Sequence, residues 1–396
     1  MKLQQRVREA QGETEVVRVV DAWYEVESDG YQRDMPVLHY HGRSESGEYR
    51  HFAIDGYRPY FYVSQQEDEE TLQNLAHDRR VMDVSVAERT GVHRGEWDTP
   101  LVKVTVECPW HVGQLRDEFD RTWEADVLFP QRFLIDRGVT GLARIPVESN
   151  GYLDATDVEA VDEDDFDGKI DPRVVTYDIE VATREALEHA FEMGIVDGDR
   201  DAFELGAFPD VNTARRPITA IALHDSYDDE IATFVLRADA WGENASPEIG
   251  TDVYDDEADL LTDVVRWLVE KRPDVLTAWN ADFDAPYFLN RCKQLRVPIE
   301  RLSPTGNVDE HNGGGRFINS DITGVHVFDL LKAYEKSQYT ELKSSKLENV
   351  AAEETEMEKL DVDEQHAWVH DPERFTKYVS RDTEATVAIN EEVNLL

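Results

Sequence analysis

The sequence predicts two folded regions in tandem: a mostly β N-terminal domain, then an α/β domain built on a mixed sheet flanked by helices. Three observations predict it. Residues 1–150 carry short β-branched or aromatic runs between turn signals, the mark of strands. From residue 169 onward such runs alternate with segments of helical periodicity, the mark of a sheet covered by helices. Between them, residues 151–168 contain Asp162-Glu163-Asp164-Asp165 and read as an acidic linker.

Each element has its own justification. Val16 to Val20, Tyr60 to Val63 and Leu101 to Val106 are the strand runs of the first domain. In residues 169–396, Val174 to Val181, Ile218 to Leu223 and Ile231 to Leu236 are strands. Leu260, Leu261, Val264, Val265 and Leu268 recur at helical spacing, and Pro273 ends that helix. Val275 to Trp279 is a further strand, followed by a helix whose first turn suits Pro286. Val325 to Phe328 is the last strand. The final helix opens at Asp371-Pro372, a capping side chain followed by a proline.

Composition limits the functions available. The 396 residues can bury two cores. A hydrophobic fraction of 40% excludes disorder as the explanation for a net charge of -44. Of the 41 basic residues only 11 are Lys, and acid excess with scarce Lys is the pattern of a halophile's cytoplasm, where salt screens repulsion. Such a surface is ordinarily a poor binder of nucleic acid, so a function of that kind has to rest on motifs. Cys108 and Cys292 make neither a metal spacing nor a disulfide framework. The N-terminus, Met1-Lys2-Leu3-Gln4-Gln5-Arg6, lacks a signal peptide's apolar stretch, and no run approaches the roughly 18 apolar residues of a membrane span. A soluble, cytoplasmic protein is expected.

The chemistry lies in acidic residues on the second domain's elements. Asp178 and Glu180 are two apart in an apolar strand, so both point to one face while Ile179 points to the other. Their repulsion needs compensation unless they end the strand in water. In Trp279-Asn280-Ala281-Asp282-Phe283-Asp284 a strand gives way to a helix. Asp284 is placed there as an N-cap, and Asn280 to hold the loop through its amide. Phe375, Tyr378, Asp382, Ala385 and Ile389 fall at intervals of three and four, which puts Asp382 in the middle of an apolar stripe one turn after Tyr378. A buried Asp needs a cation, either a metal or a distant Arg. Together Asp178, Glu180, Asp284 and Asp382 match two divalent ions, and hard oxygen ligands point to Mg²⁺ or Mn²⁺. Two such ions clamp the attacking and leaving oxygens of a phosphodiester.

These residues match a known pattern. Asp178-Ile179-Glu180 resembles the first exonuclease motif of family B DNA polymerases, Asn280 through Phe283-Asp284 the second, and Tyr378-x-x-x-Asp382 the third. Val325-His326-Val327-Phe328-Asp329-Leu330 resembles the strand before the third motif, with Asp329 structural. The chain departs from the pattern in two places. Asn280 and Asp284 are one residue closer than in many members, and the excursion between Glu180 and Ile218 is long. Tyr57-Arg58-Pro59-Tyr60-Phe61-Tyr62 and Phe133-Leu134-Ile135-Asp136-Arg137-Gly138 are similar to archaeal segments of the same family, so the resemblance covers nearly the whole chain.

The resemblance implies a ribonuclease H-like 3′→5′ exonuclease domain over 169–396 and a template-binding domain over 1–150. It implies metal ligation by Asp178, Glu180, Asp284 and Asp382, with Asp284 acting through water, and a nucleophile oriented by Tyr378. DNA with a single-stranded or frayed 3′ end is the implied partner, held by Asn280 and Phe283. Pro59, Tyr60 and Val112 match the positions of a uracil pocket. The Ser-Leu-Tyr-Pro segment and Asp-Thr-Asp triplet of the family's palm do not occur in these 396 residues, so no primer extension is expected. The alternatives are a free-standing exonuclease and a non-catalytic DNA-binding module.

Overall fold

The computed structural model of the chain describes residues 13–28, 34–93, 96–147, 152–192, 208–238, 241, 250–312, 318–338, 342–357 and 364–396. They divide into two compact units, Met1–Asp171 and Pro172–Leu396. The N-terminal hexapeptide and residues 193–207 of the long excursion lie outside the described residues.

The first unit runs β1 (Thr14–Ser28), β2 (Asp34–Ser44), β3 (Tyr49–Ile54), β4 (Tyr60–Ser64), α1 (Glu69–Ala76), β5 (Val81–His93), β6 (Glu96–Val106), α2 (Pro109–Arg116), β7 (Thr122–Trp123), α3 (Phe129–Arg137), β8 (Leu142–Pro146) and β9 (Glu159–Val161). One sheet has the order β3-β2-β1-β8-β9, the other β5-β6-β4-β7. Leu38, Tyr40, Phe52 and Ile54 alternate on one face of the first sheet and bury Phe129 and Phe133 of α3. That helix stops at Gly138, whose φ of 71° suits a residue without a Cβ.

The stretch read as a linker is built into this unit. Val161 and Ala160 pair with Leu142 and Ala143 of β8, and Arg18 donates to the carbonyl of Ile170 at 2.5 Å. Leu153 and Val158 are buried in the unit's core. Their apolar contribution is masked in the sequence by the acids around them.

The second unit runs β10 (Val174–Val181), α4 (Arg184–Glu192), β11 (Ile218–Asp225), β12 (Glu230–Leu236), β13 (Thr251–Tyr254), α5 (Glu257–Lys271), β14 (Val275–Ala278), α6 (Ala281–Gln294), β15 (Val308–Asn312), β16 (Ile318–Ile322), β17 (His326–Asp329), α7 (Leu330–Ser337), α8 (Leu347–Glu354), α9 (Glu364–His370) and α10 (Pro372–Val393). The main sheet has the order β13-β12-β11-β10-β14-β17 and is mixed. β10 lies antiparallel to β11 and parallel to β14.

Alternation along β10 decides what each face holds. Val175, Tyr177 and Ile179 join a core with α5 and α6. The five buried residues of α5, Leu260, Leu261, Val264, Val265 and Leu268, each contribute about 1.5–3 kcal/mol by leaving water. On the opposite face Ala220, Ala222 and Val235 pack against Phe375 and Val379 of α10. Asp178 and Glu180 point to that second face, beside their cross-strand partners Ala222 and Ala220.

Candidate active site

Asp178, Glu180 and Asp382 each place a carboxylate oxygen within 4.8 Å of the other two, and all three are half-buried. The sequence builds this by packing small residues under α10. Ala220 and Ala222 beside the two strand acids are fully buried. Thr383, the residue after Asp382, is also fully buried and lies against β11, its hydroxyl 3.5 Å from the Ala222 carbonyl. Ser380 and Thr233 of β12 bond through their hydroxyls at 3.0 Å. The helix therefore rides close to the sheet and brings Asp382 down to the β10 pair.

Where α10 meets the sheet differs from the expected stripe. Its buried face runs through Phe375, Thr376, Val379, Thr383, Ala385, Thr386 and Ile389, so Phe375, Ala385 and Ile389 of the expected stripe are buried, while Tyr378 and Asp382 flank that face. Thr376, Thr383 and Thr386 take positions on this face. Their hydroxyls are satisfied within the helix, as Thr386 shows by donating to the Asp382 carbonyl at 2.9 Å. The predicted opening of the helix is found: Asp371 caps it, accepting the amide of Arg374 at 3.2 Å.

Three carboxylates this close repel one another. At 4.8 Å each pair costs roughly 3 kcal/mol at an effective dielectric of about 20. Concentrated negative charge on hard oxygen donors is what a divalent ion stabilises.

Asp284 departs from expectation. Helix α6 starts at Ala281, earlier than Pro286 suggested, and Asn280 holds the N-cap position. Asp284 lies inside the helix, its amide donating to the Asn280 carbonyl at 3.0 Å, and Pro286 is an interior residue. The Asp284 side chain is only 7% exposed and is not part of the three-carboxylate group. Burial, with Asp329 beside it, holds its carboxyl well above the usual carboxylate range. Asn280 is exposed and makes no capping hydrogen bond with its side chain. Phe283 is half-buried and stacks on Tyr287 at 5.4 Å. Tyr378 is half-buried against the α10 face of the sheet.

Asp329 ends β17 and caps α7 by accepting the amide of Lys332 at 2.8 Å. It also accepts the amide of Asp282 at 3.0 Å. The residues Pro59, Tyr60 and Val112 meet in the first unit, where with Trp110, Arg116 and Arg132 they line an open cavity of about 280 Å³. The Tyr60 hydroxyl donates to Asp136 at 2.7 Å, and Lys103 and Arg132 lie over its ring at 3.7 and 4.8 Å.

Comparison with known proteins completes the assignment. The family model "DNA polymerase family B, exonuclease domain" matches residues 120–350, more than half of the chain. The match includes Asp178, Glu180 and the Asn280–Asp284 segment and ends before Tyr378. The DNA-directed DNA polymerase of Enterobacteria phage T4 is 30% identical over 214 residues, 46% of this chain and 24% of the relative. The DNA polymerase delta catalytic subunit of Dictyostelium discoideum is 22% identical, aligned to 88% of this chain and 36% of its own length. The structure of the family B DNA polymerase from Pyrobaculum calidifontis superposes with a TM-score of 0.69 at 22% identity, covering 96% of this chain and 46% of that one. The chain belongs to the family B DNA polymerases and carries their 3′→5′ exonuclease domain, which is metal-dependent and of ribonuclease H-like fold. It spans about a quarter to a third of the length of these curated relatives. Among the described residues, no helix is long and apolar enough to cross a membrane.

Proposed function

We propose that this chain removes nucleotides from the 3′ end of single-stranded or frayed DNA, as the proofreading part of a family B polymerase. The observation that carries the reading is the convergence of Asp178, Glu180 and Asp382. Their donor set fits a divalent pair: oxygen ligands only, half-buried, in mutual repulsion. Asp178, Glu180 and Asp382 would hold the ions, and Mg²⁺ or Mn²⁺ suits their hardness. When bound, the ions supply an acidified water and stabilise the departing oxygen.

The chain's own residues do the rest. Tyr378, one turn before Asp382, orients the attacking water through its hydroxyl. Asn280 and Phe283 hold the terminal nucleotide, and Asp284 acts from α6 through water. The water oxygen adds to phosphorus and the bond from phosphorus to the 3′ oxygen breaks. That oxygen takes up a proton, leaving a nucleoside 5′-monophosphate and a strand one residue shorter. In salt that keeps the protein folded, a 5′-labelled strand should shorten with Mg²⁺ or Mn²⁺ and stay intact with EDTA. Equal shortening in both would overturn the reading.

A second reading concerns the first unit. The cavity that joins Pro59, Tyr60 and Val112 supports capture of a uracil base from the template strand. Its size and its aromatic and cationic lining suit one flipped nucleotide.

A further inference from the structure

Helix α6 begins without help from its own N-cap side chain. Asn280 occupies the position and makes no side-chain capping bond. The first amides of a helix nonetheless need acceptors, and Asn is among the residues best suited to supply one. Here the acceptor comes from another element. Asp329 Oδ2 accepts the Asp282 amide at 3.0 Å while its Oδ1 accepts the Lys332 amide at 2.8 Å, so one carboxylate caps α6 and α7 together. Lys332 returns to the Asp282 side chain as an ion pair. The Leu331 amide donates to the Trp279 carbonyl at 3.0 Å, tying the start of α7 to the residue before Asn280.

We propose that Asp329 is a positioning residue of the exonuclease site: by capping α6 from outside, it leaves the Asn280 amide free to hold the 3′-terminal nucleotide. The inference rests on the reading of Asn280 as a substrate-binding residue. Without the Asp329 carboxylate, the Asp282 amide lacks its acceptor. Asn280, already at the N-cap position, then turns its side chain back onto its own helix as N-cap residues ordinarily do. Grip on the strand is lost while the three carboxylates stay in place.

Fluorescence anisotropy with a labelled single strand in EDTA reads this grip with no hydrolysis occurring. Asn280→Ala and Asp329→Ala should each raise Kd about fivefold or more, the scale of one hydrogen bond. The double variant should bind no more weakly than either single one, because the two act through one contact. Asp329→Asn, which keeps one acceptor oxygen, should fall between wild type and Asp329→Ala. It carries the same comparison if circular dichroism shows that the alanine variant does not fold. Wild-type affinity in Asp329→Ala beside weakened binding in Asn280→Ala, or additive losses in the double variant, overturns the positioning role alone. Wild-type affinity in Asn280→Ala overturns the reading of Asn280 and the positioning role with it.

Discussion

Arg291 of α6 and Glu257 at the start of α5 form a two-pronged ion pair, Nε to Oε1 at 2.8 Å and Nη2 to Oε2 at 2.5 Å. Both side chains are nearly buried, and Arg291 also donates to the carbonyls of Ala214 and Arg215 at 3.1 Å. Removing one partner strands the other charge. Arg291→Leu should therefore lower the stability of the second unit by about 3–5 kcal/mol, read as a shift in urea midpoint. A shift under a quarter of that size would mean that water reaches Glu257.

The carboxylate group should dominate catalysis. Asp178→Ala or Asp382→Ala should cut the rate of 3′-end removal by about 100- to 1,000-fold, the scale of losing a main transition-state stabiliser. Tyr378→Phe should cost less, because only the orienting hydroxyl is lost. Thermal melts run alongside should show folded proteins. Wild-type turnover in Asp178→Ala would remove this group from the mechanism.

Acid should destabilise the first unit. On the outer face of its first sheet, His39, His41 and His51 gather around Trp23, with the His39 and His51 rings bonded at 3.1 Å. Burial, then Arg43 and His51, push His41 down to about 3, and burial lowers His39 and His51 as well. The unfolded chain, with histidines near 6.5, takes protons first. Stability is thus whole above about pH 6.5 and is lost as pH falls toward the folded values. His41 alone should cost roughly 2 kcal/mol at pH 5 relative to pH 7.5. Melting temperatures measured across that range should fall, and less so in His41→Phe; a flat profile in wild type contradicts the depressed values.

Template binding at the Pro59, Tyr60 and Val112 cavity should favour uracil. Titration with matched oligonucleotides should give tighter binding to the strand containing uracil, and Tyr60→Ala should abolish the difference. Equal affinities in the wild-type protein would dispose of the idea.

Binding of DNA should depend little on salt. A chain with net charge -44 offers few phosphate contacts, and few contacts mean a shallow slope of log K against log salt. Affinities measured from low to molar KCl test this. A steep loss would reveal a basic track across the acidic surface.

Elements with their own periodicity were legible in the sequence. β10 runs from Val174 to Val181 as the apolar run implies, and Asp371-Pro372 opens α10 as its residue types dictate. What could not be read depended on contacts across the fold. Helix α6 is capped at Asn280 because Asp329, 47 residues beyond the Asp282 amide that it accepts, supplies the cap that local sequence assigned to Asp284. β9 belongs to a sheet because Leu142 and Ala143 pair with residues whose neighbours are nearly all acids. Asp178, Glu180 and Asp382 could be nominated from spacing, but their meeting depends on how closely a helix approaches a sheet.

That approach works as a ruler. Ala220, Ala222 and Thr383 carry no carboxylate, yet their size sets how far Asp382 stands from Asp178 and Glu180. A core this dense transmits even one added methylene. The spacing of the three carboxylates is therefore set by the packing between α10 and β11. On the proposed role of the three acids, a bulkier side chain there should lower activity with all three carboxylates intact.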